Sequence, residues 1–200
     1  LELPLGVFGV ALGTVILPAL SRHHVGTDHA GFSRAMDWGL RLTWLIALPA
    51  TLALLVLAGP LVITLFENGH YTAFDAQMTT LSTMALSLGL PAYALVKILL
   101  PAFYARQDTR TPVRAGVAAL VTNMLFNGVF IVLLFELLAP PALHQVGWLD
   151  GIAQVPGLHV ALAIASSLSS YVNFLLLWRW LKRSGVYQRE PGWARHWRRL

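Results

Sequence analysis

The chain has 200 residues, of which 56% are hydrophobic and only 12% charged, against about 25% charged in a soluble domain. With a mean hydropathy of +0.65, this excludes a disordered chain and argues against a soluble globular enzyme. There is no cysteine, so a disulfide framework, a thiolate nucleophile and a cysteine-type zinc site are excluded. The net charge of +5 on so apolar a chain fits membrane topology better than a nucleic-acid partner.

A helix needs about 20 apolar residues to cross a bilayer, and five apolar blocks follow one another. Residues 1–20 read as the end of a longer transmembrane helix, and 21–37 as a loop. Residues 38–66 form a first full crossing, where Pro49 predicts a kink. A short loop at 67–76 carries the Asn68-Gly69 turn signal. Residues 77–105 form the next crossing, where Pro91 and Pro101 predict kinks. A loop at 106–111 leads to a crossing at 112–138, with Thr111 as the expected N-cap and Pro112 at the first helical position. The loop at 139–157 is the longest. A last crossing at 158–181 precedes a basic tail, 182–200, that leads toward a further helix. Continuous apolar runs of this length do not fit the alternating, ~10-residue strands of a membrane barrel. The expected fold is all-α, a polytopic integral membrane helical bundle.

Charge orients the bundle. Of the fourteen lysines and arginines, all but Lys97 fall between or beside the facing ends of blocks one and two, likewise of blocks three and four, or at and after the end of block five. The loops from Glu67 to Gln77 and from Glu136 to Gly157 carry none. By the positive-inside rule the basic regions are cytoplasmic and the two bare loops periplasmic.

Lys97 is the exception. It lies nine residues before Arg106, about 13 Å deeper along a helix, where a charge costs at least ~2.5–3.5 kcal/mol. It either faces a polar cavity that receives an anionic group or snorkels to the interface. The first reading is preferred, because intramembrane ionisable residues default to function. Glu2, at the start of the first block, either lines a cavity or marks a plain terminus. Arg106, Asp108, Arg110 and Arg114 sit where a cytoplasmic mouth would be. Asn123 and Asn127 share a helix face, as do Ser166, Ser169, Ser170 and Asn173. Both stripes read first as helix packing by small and hydrogen-bonding side chains. His23, His24, His29 and Asp28 lack the spacing of a helical metal-ligand pair and read as a solvated loop. No phosphate-binding glycine loop, nucleophile elbow or metalloprotease motif occurs, so neither a cofactor, a metal nor an enzymatic reaction is expected.

The segments GVFGVALGTVILPALSRH, MDWGLRLTWLIALPA, GHYTAFDA and VKILLPAFYARQDTRTPVR resemble the MurJ/MviN family of bacterial lipid II flippases, of the multidrug/oligosaccharidyl-lipid/polysaccharide exporter superfamily. The resemblance is collinear from Leu1 to the PGW at 191–193. It is most specific in PAFYARQDTRTPV and weakest in the loop from Ala139 to Gly157. It implies most of the second lobe of a fourteen-helix exporter, whose cationic cavity receives the head group of lipid II. On that resemblance Lys97 and Glu2 match a basic and an acidic family position at the substrate cavity.

The implied activity moves lipid II from the cytoplasmic to the periplasmic leaflet by alternating access, for cell-wall synthesis, with no bond made or broken. The implied location is the bacterial inner membrane, and the implied partners are lipid II and membrane lipids, not nucleic acid. Another exporter of the superfamily, acting on a lipid-linked oligosaccharide or a drug, and a membrane scaffold for cell-wall enzymes are the alternatives. The least favoured is an intramembrane lipid enzyme, for want of a catalytic constellation.

Overall fold

The computed structural model describes residues 6, 11–25, 28–66, 72–138 and 157–187. Six helices make up the described fold, and no strand occurs among the described residues: α1 Ala11–Val25, α2 His29–Phe66, α3 Ala73–Ser87, α4 Leu90–Tyr104, α5 Arg110–Leu138 and α6 His159–Arg183. Three of them, α2, α5 and α6, are long and apolar enough to cross a membrane, and the bent pair α3–α4 is so when its two helices are taken together. The molecule is thus a helical membrane protein, as its composition implies.

The boundaries depart from the sequence expectation in three places. Residues 21–37 were expected as a loop, but α1 continues to Val25 and α2 starts at His29. Polar residues continue both helices beyond their apolar blocks, and Asp28 closes the turn by accepting from the Gly31 amide at 2.8 Å. The segment expected as one crossing at 77–105 is two helices joined with a bend of 41° at Leu88–Gly89, and it starts at Ala73 rather than Gln77 because Thr72 and Asp75 form a reciprocal capping box. At the start of α5 the capping group is not Thr111. The helix begins at Arg110, and Asp108 Oδ1 accepts from the Thr111 amide at 3.0 Å.

The prolines act unequally. Helix α2 runs unbroken through Pro49 and Pro60, and α4 runs through Pro101. Pro91 sits beside the break between α3 and α4, where it offers no amide to the carbonyl of Ser87. Neighbouring α6 supports this joint: the Tyr171 hydroxyl donates to the Leu88 carbonyl at 2.8 Å, and the Ser167 hydroxyl to the Ala85 carbonyl at 2.6 Å. That is how a membrane helix tolerates a break.

Helix α4 is central and packs on α1, α2 and α6. Helix α6 also packs on α3 and α5. The main apolar cluster joins Ile16 and Leu20 of α1, Phe32 and Met36 of α2, Leu99 and Phe103 of α4, and Leu177 and Leu181 of α6. It lies toward the end of the bundle where the basic residues gather. By contrast, little of the most apolar stretch of α5 is buried, and Val56 of α2 and Leu137 of α5 are 75% and 77% exposed. Such broad apolar exposure suits contact with lipid rather than water.

Candidate functional site

Lys97 lies in the middle of α4, and it is half-buried. Its backbone carbonyl faces α1: a Cβ on Gly13 would stand 3.9 Å from it. That is an ordinary van der Waals distance, so α1 runs beside the lysine's turn of α4. Glu2 lies outside the described residues.

Of the residues expected at a mouth, three come together and one does not. Arg106, Asp108 and Arg114 line a cavity of about 420 Å³ with Phe103, Trp180 and Arg183. Arg110 is exposed and is not part of its lining. The cavity exists because α4 ends in a tight reversal. The amides of Gln107 and Asp108 return to the carbonyls of Tyr104 and Phe103, with Gln107 in the left-handed region at φ 58°. This is a Schellman closure, and it delivers Asp108 to the start of α5.

Arg106 is fixed on several sides. Its Nη1 donates to Ser184 Oγ at 2.6 Å, its Nη2 stands 3.8 Å from Asp108 Oδ2, and its guanidinium lies 5.4 Å over the Phe103 ring. Burial pulls the Arg106 guanidinium below its ordinary value, and Asp108 opposes that shift. The Asp108 carboxyl is held below its ordinary value, chiefly by the Thr111 hydroxyl and further by the Thr111 amide and Arg106.

A second, polar seam joins α5 to α6. Asn123 Nδ2 donates to Ser166 Oγ at 3.4 Å and to Ser169 Oγ at 3.3 Å, and Asn127 Nδ2 donates to Asn123 Oδ1 at 3.1 Å. Tyr93 of α4 donates to the Ser166 carbonyl at 2.9 Å. A smaller cavity of about 270 Å³ opens between Tyr93, Asn123, Ser169, Ser170 and Asn173. The asparagine and serine stripes thus serve the helix packing expected of them.

In the turn before α2, His23 Nδ1 lies 3.0 Å from Asp28 Oδ2, and no group of metal-ligating side chains forms among the described residues.

The family model described as lipid II flippase MurJ matches residues 1–200. The chain belongs to the MurJ family. Among MurJ relatives, one from Vibrio cholerae, described as a probable lipid II flippase, is 42% identical over 94% of this chain and 31% of its own length. One from Burkholderia cenocepacia, described as a lipid II flippase, is 37% identical over 98% of this chain and 33% of its own length. The chain therefore spans about a third of the MurJ relatives it matches. A solved structure of lipid II flippase MurJ in an inward closed conformation shares the fold, with a TM-score of 0.69 and 24% identity over 90% of this chain and 33% of that one. The family resemblance read from the sequence motifs is thereby borne out, as is the all-α membrane bundle.

Sequence reasoning missed Arg183, Ser184 and Trp180 as companions of Arg106. They lie more than seventy positions away, on another helix, and no spacing rule links them. The signal available was only that Arg183 belongs to the same basic end.

Proposed function

We propose that this chain forms most of one lobe of a flippase that carries lipid II, the lipid-linked peptidoglycan precursor, across the bacterial cytoplasmic membrane. The observation that carries the reading is the match of the whole chain, residues 1–200, to the flippase family. The bundle of crossing helices with a lysine at mid-depth in α4 supports it. Transport proceeds by alternating access, two lobes rocking about a cavity near the midplane. The head group passes through that cavity while the polyprenyl tail stays in lipid, and no covalent bond changes.

In this reading the basic end of the bundle is cytoplasmic. Arg106, Asp108, Arg110 and Arg114 stand at the cytoplasmic mouth, and their basic balance orients the protein by the positive-inside rule. Lys97, with Glu2, lines the transport cavity, where the ammonium group meets the pyrophosphate of the substrate.

The test uses the full-length parent protein. Lys97→Met is introduced, and rescue of cells depleted of their own flippase is scored with membrane abundance checked by immunoblot. Loss of rescue at normal abundance is expected. Full rescue would remove Lys97 from the transport path.

A further inference from the structure

The cavity at the α4–α5 turn holds more cation than its neighbours compensate. Three arginines converge on it from three segments: Arg106 from the turn, Arg114 from the second turn of α5, and Arg183 from the end of α6. Among the described residues Asp108 is the only acid in the lining, and its carboxylate already caps α5 and faces Arg106. Among the described residues neither Arg114 nor Arg183 has an acidic partner within ion-pair distance. Arg106 is not a loose surface charge: its side chain is 13% exposed and anchored on Ser184. A volume of about 420 Å³ falls in the range of small-ligand pockets, ~300–1,000 Å³. Converging guanidinium groups suit the oxygens of a phosphate, which they bind through paired, charge-assisted hydrogen bonds.

The surroundings say which phosphate. Trp180 lines the cavity, and tryptophan favours the headgroup level of a membrane. From Arg114, the same face of α5 continues as Val117, Val121 and Met124, which are 58%, 50% and 66% exposed. A phosphate seated among the arginines thus has an open aliphatic track running from it into the membrane. Lys97 is elsewhere. It lies about 120° around α4 from Phe103 and about 9 Å along it, on the turn that α1 approaches through Gly13.

We infer that Arg106, Arg114 and Arg183 form a seat for the phosphodiester headgroup of an anionic glycerophospholipid, resident at the basic end and separate from the transport cavity. The acyl chains lie along the Val117–Val121–Met124 face of α5. This goes beyond the transport reading, and it requires only that the basic end lie at a membrane surface.

The test is lipid retention, read without transport. Full-length parent protein is purified in detergent, supplied with phosphatidylglycerol or phosphatidylcholine, and analysed by native mass spectrometry. Wild-type protein is expected to keep one phosphatidylglycerol at concentrations where phosphatidylcholine is lost. The Arg114→Gln/Arg183→Gln variant should bind that lipid roughly tenfold or more weakly, with its unfolding temperature checked to show an intact fold. Arg110→Gln, outside the cavity, should keep it. Lys97→Met should also keep it, which separates this inference from the transport reading.

Three outcomes would overturn the seat. One is equal loss in Arg110→Gln, which would mean diffuse surface charge. Another is unchanged retention in the double variant. The third is displacement of the lipid by millimolar inorganic phosphate, with the phosphate bound in its stead, which would mean a free-phosphate site. If the double variant does not fold, Arg183→Gln alone supplies the readout, with the same expected direction.

Discussion

The Tyr187 hydroxyl donates a hydrogen bond to Asp37 Oδ1 across 150 positions of sequence, and both groups are buried. This contact folds the segment after α6 back onto the start of α2. The reversal depends on Gly185, whose φ of +73° lies in the left-handed region that glycine enters without steric cost. Val186 accepts from Ser33, and the Tyr187 ring rests 5.2 Å from that of Trp178. The end of the last described helix is therefore tied to the first long one by a polar bond inside an apolar cluster.

Tyr187→Phe keeps the ring and removes the donor. A hydrogen bond contributes about 0.5–1.5 kcal/mol net, so the variant should unfold at a lower temperature than the parent. Differential scanning fluorimetry of the purified full-length protein measures this. An unchanged unfolding temperature would mean that the bond adds nothing net to stability.

Gly89 marks the closest approach at the α3–α4 joint. A Cβ there would stand 2.8 Å from Ser167 Oγ and 3.0 Å from Ser167 Cα. Backbone cannot step aside as a side-chain tip can. Gly89→Ala should therefore destabilise by roughly 1–3 kcal/mol, as overpacking does. Gly116→Ala is the control: nothing lies within 4 Å of its added Cβ, and alanine is the better helix former by about 1 kcal/mol. A guanidinium titration of both variants should move their midpoints in opposite directions.

Gln107 occupies a left-handed position, which costs a residue with a Cβ roughly 1–2 kcal/mol. Gln107→Gly removes that strain but loosens the unfolded chain, which takes back about 0.4–1 kcal/mol. A net gain of up to about 1.6 kcal/mol is expected, seen as a higher unfolding temperature. Gln107→Val should do the reverse, because a β-branched side chain is least tolerant of this region.

Asp28 is held below its ordinary carboxyl value, first by the Gly31 amide and then by His23. Because the folded value is depressed, its contribution to the turn is present above the unfolded value of ~3.9. That contribution is lost as the pH falls through the folded value. Carbon-13 NMR of labelled aspartate should give a midpoint below that of an unstructured aspartate. His23→Gln should raise it only part of the way, since the amide bond remains. A full return would make His23 the main cause.

The membrane class of this chain could be read from composition alone, because a bilayer admits few sequence solutions. Runs of about 20 apolar residues leave little choice of structure, and α5 and α6 begin and end within two residues of the expected bounds. The clustering of arginine at one end was equally visible, since charge avoids the membrane interior wherever it stands in the chain. Polar helix extensions carry no such signature. Residues 29–37 are helical because they pack: Phe32 and Met36 are buried in the main cluster, and that burial outweighs their polar neighbours.

Tertiary structure alone decided which charges meet. Arg106 and Ser184 touch because α4 and α6 pack side by side and the Gln107 turn aims the guanidinium at the end of α6. Pairing of this kind depends on helix crossings and on one left-handed residue, and neither leaves a periodic trace in sequence. The same holds for the α3–α4 bend. Pro91 announces a weak point, but the hydroxyls of Ser167 and Tyr171, supplied by another helix, are what hold the broken segment in place. Hydropathy follows from each residue's own free energy of transfer and is local. A cavity, a cap across a joint and a buried Tyr187–Asp37 bond are properties of pairs, and pairs are chosen only when the helices pack.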